Sequence, residues 1–409
     1  MIIKSSRIVF FINTLLLFYI TVSHMLNASQ AREVYGLGKF YFLFVFITLL
    51  FLLHSCKGKI SYVMVVPFLL MMYMSVVILC FWNQSLYGRV ESVVTNGFWF
   101  FVFAFYLEYT RRFALNQTRF LSFLQVVFAV FAVIYSVSIF KNGLGADNYH
   151  GQNIVYYIMI FLPFLLCLES DFLKNTYLIL MGILVAVSFK TTAMISYAVT
   201  LCIFFIWKKD SRGVININGL HIRKVFWFLV AILVLAGILQ TIENRTDNYL
   251  VTKLNKSFTS GGSGRDVIWE RTWNAQKMSN PVQWIFGHGS IIVAQANGLG
   301  NSAHNDFLEI TFNYGLVGLI LYLNIYLMLI KQAWRAYKIK SPMFVPWMAS
   351  MILFAITSTF SHMITYPQYF PILMCFWGIA MGRPEEDSIN NRMERSVHVR
   401  NSWDCISKI

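Results

Sequence analysis

The chain has 409 residues, 57% of them hydrophobic and 12% charged, with a mean hydropathy of +0.60. An ordinary soluble domain carries roughly 25% charge, which excludes a water-soluble globule of this length, a disordered chain and a nucleic-acid-binding domain. What remains is an all-α polytopic membrane protein, and the formal net charge of +15 is read first as a topology signal rather than as the mark of a polyanionic partner.

A helix needs about 20 mostly apolar residues to cross roughly 30 Å of hydrocarbon. Such segments fall at 8–26, 38–54, 60–82, 94–108, 120–140, 154–169, 174–189, 191–207, 225–242, 306–330, 343–361 and 369–381, which predicts twelve transmembrane helices. The first follows Lys4 and Arg7 like a leader, but many similar stretches come after it and no cleavage motif does, so it reads as a span. Stretch 174–207 is too long for one comfortable span and short for two. Lys190 at its centre, followed by Thr191 and Thr192, predicts two short helices meeting at one membrane face. Basic residues favour cytoplasmic loops. With both termini in the cytoplasm, 22 of the 33 Lys and Arg lie inside, whereas one span over 174–207 would turn the basic segments 208–224 and 331–341 outward. Pro367 and Pro371 are expected to shorten or bend the twelfth helix.

The chain thus divides into nine helices over 1–242, a long outer loop over 243–305, three helices over 306–381 and a polar cytoplasmic tail over 382–409. Six scattered cysteines form no CxxC pair, so neither a disulfide framework nor a metal site is indicated.

The loop is too long for a simple turn. After Gly261-Gly262-Ser263-Gly264, the run from Arg265 to Trp273 reads as a helix, with Ser263 as N-cap and Asp266 completing a capping box. Arg265, Trp269 and Trp273 fall four apart on one face. Asn280-Pro281 restarts the chain, and Trp284 to Phe286 form an apolar patch turned by Gly287-His288-Gly289.

Three positions stand out chemically. Lys190 is a cation within apolar sequence, costly unless it serves a ligand or an interface. Arg265, in the first turn of a helix, is unfavourable for the helix itself but seats phosphate oxygens well; Arg271 is expected to point elsewhere, to headgroups or a carboxylate. His304 lies where the tenth span begins. With Asn301 or Ser302 as N-cap it would occupy the first turn, where the helix dipole favours the neutral imidazole. Asn305 and Glu309, four apart, are expected to share a polar face, and Asp306 to orient a neighbour. Gly315 and Gly318 would let another helix approach closely. His150, His288 and His362 face outward as second-rank candidates; His24, His54, His221 and His398 lack supporting neighbours.

Gly264-Arg265 through Trp269, Gly287-His288-Gly289, Ala303-His304-Asn305-Asp306-Phe307-Leu308-Glu309 and Tyr314-Gly315-Leu316-Val317-Gly318 together resemble the signature of the O-antigen ligase and polymerase family. The resemblance implies a multi-helix glycosyltransferase of the bacterial inner membrane, with a large periplasmic loop late in the chain. It would move a glycan from undecaprenyl diphosphate to a hydroxyl acceptor on the periplasmic side, without a cofactor or metal. His304 matches the family's essential histidine and Arg265 its Gly-Arg arginine. A further family arginine, which follows a serine mid-chain, corresponds to Lys190, a residue that keeps the charge but loses the bidentate fork. Arg265, Lys190 and Arg271 would bind diphosphate, and Asn305, Asp306 and Glu309 would bind sugar or orient groups. The implied partners are lipid-linked oligosaccharide donor and acceptor, the bilayer and, optionally, a chain-length regulator protein, with no nucleic acid. The motifs favour a polymerase, with a ligase acting on lipid A–core as the alternative. A transporter or flippase of lipid-linked glycan is the other class, and it would call for charges spread through the bundle.

Overall fold

In lipid a backbone must satisfy its own hydrogen bonds, so long apolar runs become helices. The computed structural model describes residues 2–29, 37–56, 61–81, 85–113, 115–142, 154–188, 190–206, 265–289, 293–364 and 368–382, and among these all regular structure is helical. Six helices are long and apolar enough to cross a membrane: Ser6–Asn27, Gly38–Ser55, Tyr62–Cys80, Leu86–Phe113, Thr118–Ile139 and Asp306–Lys338. Their outward side chains remain apolar, with Phe11, Phe46, Leu53, Val126, Ile320 and Leu327 all exposed. This is a multi-pass membrane protein.

In chain order the helices are α1 (Ile2–Ser29), α2 (Gly38–Cys56), α3 (Val65–Phe81), α4 (Leu86–Phe113), α5 (Gln117–Asn142), α6 (Val155–Met159), α7 (Leu162–Leu166), α8 (Asp171–Val187) and α9 (Thr191–Ile206). There follow α10 (Arg265–Lys277), α11 (Pro281–Phe286), α12 (Val293–Ala296), α13 (Asp306–Lys338), α14 (Phe344–Phe360) and α15 (Phe370–Gly382). The span expected at 225–242 lies outside the described residues, as do Ser263 of the expected capping box and the tail from 383 onward.

Stretch 174–207 is two helices. The chain breaks between Val187 and Thr191, where Ser188 Oγ accepts the Lys190 N–H at 3.1 Å. α8 and α9 fold back on each other, with the Tyr197 hydroxyl donating to the Leu178 carbonyl and its ring against Gly182. The single helix expected over 154–169 is instead a pair of five-residue helices, α6 and α7. The physical reason is Pro163, which has no N–H to give the Met159 carbonyl one turn back.

α4 lies at the centre. From Phe98 to Thr110 it is buried on every side, the pattern of a helix surrounded by others. α15 runs along it in parallel. A Cβ on Gly378 would come within 2.7 Å of the Phe103 carbonyl oxygen, and one on Gly382 within 2.5 Å of the Leu107 oxygen. Glycines four apart thus bring the two backbones together. Trp377 Nε1–H donates to Ser350 Oγ at 2.8 Å and ties α15 to α14. At 13 residues α15 is only about 20 Å long, shortened as expected, with Pro371 tolerated in its first turn.

The parallel run of α15 and α4 orders the ends of the bundle. Arg111 and Arg112 close α4 around the buried Glu108 carboxylate, at 3.6 and 2.9 Å. The loop before α15, which carries His362, falls at the opposite end.

Candidate functional site at the loop end of the bundle

α13 begins at Asp306, the expected start of the tenth span, but its cap lies later than expected. Asn305, not Asn301 or Ser302, is its N-cap: its extended backbone lets Oδ1 accept the Leu308 N–H at 3.1 Å. His304 therefore precedes the cap instead of lying in the first turn, and it holds a left-handed backbone with φ 51°. That region costs a non-glycine residue of the order of 1–3 kcal/mol and persists only where the surroundings enforce it.

The surroundings do enforce it. The Ala303 N–H donates to Glu309 Oε1 at 2.8 Å, and its carbonyl accepts the Trp269 indole N–H at 2.7 Å. α10 thus reaches the residue before His304 from one side and the first turn of α13 from the other. Trp273, the next residue on the predicted face, packs edge-on against Trp284 at 5.9 Å between ring centres.

A second histidine meets the first. His362, from the loop between α14 and α15, brings its ring centre to 4.7 Å from that of His304. Its Nε2 shares a 2.6 Å hydrogen bond with Ser302 Oγ, and its Nδ1 lies 3.6 Å from Glu309 Oε1. The loop is anchored by Asp306, wholly buried, whose carboxylate accepts the N–H groups of Met363 at 2.9 Å and Ile364 at 3.1 Å. Tyr322 adds a weaker 3.4 Å contact, and the Tyr369 hydroxyl donates to the His362 carbonyl.

Two cations act on the histidine pair. Arg265 opens α10, and Lys190, almost fully buried, sits at the α8–α9 break with its ammonium 5.9 Å from the Tyr156 ring centre. Burial first, then Arg265 and Lys190, pulls His304 down to about 4. His362 is pulled to about 3 by burial, by His304 and by the same cations. Neutral imidazoles result, as expected, but chiefly from burial and neighbouring charge rather than from the helix dipole.

Of the residues singled out from sequence, Lys190, Arg265, His304 and Glu309 come together. Arg271 does not join them: it lies on the exposed side of α10, while Thr272 and Gln276 face inward. Asn305 and Asp306 turn their side chains to the protein's own backbone. Gly315 is a break in α13 rather than a site on a smooth helical seam, with φ 66° and ψ −171°. A Cβ there would lie 2.3 Å from the Ile285 carbonyl oxygen, and one on Gly287 would lie 2.2 Å from that of Asn313. At this crossing the His288 and Gly289 N–H groups donate to the Phe312 and Asn313 carbonyls, both at 3.0 Å. The Tyr73 hydroxyl lies 3.0 Å from the Phe286 carbonyl and 2.9 Å from that of Tyr314. A Cβ on Gly318 would meet chiefly the Tyr314 Cβ of its own helix, at 2.4 Å, with the Tyr73 ring of α3 at an ordinary contact distance of 3.4 Å. His288 is structural, stacked on Phe312 and bonded to Ser279. His24, given no neighbours from sequence, bonds Tyr41 at 2.6 Å. His150 lies outside the described residues.

Residues 176–323 match the family model described as O-antigen ligase. The match supports the O-antigen polymerase and ligase family. The matched stretch spans Lys190, Arg265, His304, Glu309 and the Gly315 crossing, and stops before His362. A comparison with curated proteins found no match.

Proposed function

We propose that this chain is a glycosyltransferase that moves a glycan from undecaprenyl diphosphate to the hydroxyl of a second lipid-linked repeat unit, on the periplasmic side of the bacterial inner membrane. The observation that carries the reading is the convergence of two neutral imidazoles with two cations, drawn from four separate segments, at one end of an apolar bundle. That end suits a substrate whose lipid tail stays in the membrane while its diphosphate and sugars emerge.

Chemically, neutral His304 accepts the acceptor hydroxyl's proton as that oxygen attacks the anomeric carbon. The bond to the diphosphate oxygen breaks, and its electrons leave with the diphosphate. Arg265 and Lys190 balance the charge that develops there. A single displacement inverts the anomeric configuration. The two cations also link binding to basicity. They depress His304 in the free protein, and a bound diphosphate offsets them, so the imidazole becomes a better base once the donor is seated.

The sparse charge within the apolar helices weighs against a flippase, which would need polar groups along a path. Polymerase and ligase use the same groups and differ in acceptor. Loss of the gene product should leave single-repeat-capped core for a polymerase; long chains retained on undecaprenyl diphosphate would instead indicate a ligase. In proteoliposomes supplied with the lipid-linked oligosaccharide extracted from producing cells, His304→Ala should abolish chain extension and Arg265→Ala should chiefly raise the donor KM. Normal extension by both folded variants would refute the reading.

A further inference from the structure

The loop between α14 and α15 is fixed more firmly than a helix connection needs. Two of its N–H groups go to the buried Asp306 carboxylate, and the His362 carbonyl is held by Tyr369. Tyr369 in turn stacks on Tyr156, which lies beneath the Lys190 ammonium. This bracing delivers one side chain, His362, to the residues immediately before His304. Its Nε2 reaches Ser302, and its ring meets that of His304 at a 41° tilt, 4.7 Å between centres.

We infer that His362 is a positioning residue for His304, setting its ring plane and its left-handed backbone through Ser302 and the adjoining, tilted imidazole. The inference rests on His304 being the proton acceptor of the proposed transfer. His362 itself is engaged by Ser302 and faces Glu309, and in this role it takes no proton from substrate. Ser302 Oγ and His362 Nε2 share one proton across 2.6 Å, and Glu309 Oε1 faces Nδ1 on the other side of the ring. Glu309 then does two things with one oxygen. It accepts the Ala303 N–H at 2.8 Å and lies 3.6 Å from His362 Nδ1. Residues 302 and 303 are thereby pinned by two groups that otherwise belong to different elements, and His304 follows from a fixed starting point.

The electrostatic setting fits this division of labour. The groups facing His362 are His304, Glu309, Ser302, Arg265 and Lys190, and both cations oppose its protonation. A neutral, immobile ring can orient a neighbour without competing with it for the proton.

The test compares His362→Ala, His362→Gln, His362→Asn and Ser302→Ala with wild type and His304→Ala. The full chain is reconstituted in liposomes with the extracted lipid-linked oligosaccharide, and thermal unfolding serves as the folding control. His362→Ala and Ser302→Ala should lower kcat by about 10–100-fold, as loss of an orienting partner commonly does, with the donor KM nearly unchanged. Combining them should cost little more than either alone. Gln places an amide near the former Nε2 and should recover much of the rate; Asn, reaching only the Nδ1 position, should not. Equal impairment by Gln and Ala, a rise in KM without loss of kcat, or wild-type turnover in Ser302→Ala would overturn the inference. Should His362→Ala fail to fold, Ser302→Ala and the Gln–Asn pair carry the same decision. An active His304→Ala would instead bring down the parent reading, so the two failures are distinguishable.

Discussion

The crossing at Gly315 offers the sharpest physical test of how residues 281–289 are held against α13. In Gly315→Ala the new Cβ meets only backbone: the Ile285 carbonyl at 2.3 Å and the Gly287 nitrogen at 2.5 Å. Neither can yield like a flexible side chain. Relief requires the two strands of chain to part, which loses the His288 and Gly289 N–H bonds to α13. Each contributes about 0.5–1.5 kcal/mol net, and the backbone at φ 66°, ψ −171°, a region essentially reserved for glycine, adds about 1–3 kcal/mol for a residue with a Cβ. The expected total is about 2–6 kcal/mol. Gly300→Ala is the matched control, because its φ is 69° but nothing lies within 4 Å of its Cβ. It should cost only its own backbone part, about 1–2 kcal/mol. Limited proteolysis in lipid nanodiscs, read at 265–289, reports the opening of this segment. Cleavage in Gly315→Ala should be about 5- to 150-fold faster than in Gly300→Ala, since the two lost hydrogen bonds together amount to about 1–3 kcal/mol and tenfold corresponds to about 1.4 kcal/mol. Equal rates would mean that the steric argument is wrong and that the segment is held elsewhere.

Two further outcomes follow from the site. Asp306→Ala leaves the Met363 and Ile364 N–H groups buried without their acceptor. At about 1–3 kcal/mol for each orphaned group, thermal unfolding should come markedly earlier and activity should fall with the loss of His362 placement; an unchanged melting curve would contradict the anchoring role. For pH, both histidines go from an ordinary 6.5 in the unfolded chain to about 4 and about 3 when folded. The unfolded chain binds more protons in that window, so stability present above pH 6.5 is lost as pH falls toward 4, by up to about 1.4 kcal/mol per unit and histidine. The histidine contribution is read as a difference in thermal unfolding: between pH 7.5 and 5, His362→Gln should lose stability less steeply than wild type. A slope that His362→Gln leaves untouched would remove His362 as its source.

The helices were legible because apolar length is a one-dimensional property. Phe, Leu, Ile and Val runs must be helical in lipid whatever they pack against, and the charge at Lys190 marked the α8–α9 break directly. The split between α6 and α7 was harder to see. Pro163 is tolerated in many membrane helices, and only the neighbours available to the freed carbonyl decide whether a kink or a break results. The Gly378–Gly382 pair was overlooked for a related reason: four-residue spacing is visible, but its meaning depends on α4 lying alongside. Gly315 shows the same ambiguity from the other direction. A helix seam and a broken helix both ask for a residue without a Cβ, and the choice between them was made by the tip of α11.

The site was legible where a motif or a charge in apolar sequence marked a residue, and illegible where only a contact made by the fold gives a residue its role. Ser302 and His362 are 60 residues apart, and their 2.6 Å contact exists only because Asp306 captures the loop that follows α14. Asp306 and Glu309 look alike in the sequence, two acids in the first turn of one helix. Asp306 turns inward and accepts two backbone N–H groups of that loop, which makes it an anchor. Glu309 turns toward Ala303 and His362, which brings it to the histidine pair. One turn of helix separates an acid that holds the site together from one that lies within it. That difference follows from the direction each side chain takes from α13, and a sequence motif does not encode it when the partner loop lies so far downstream.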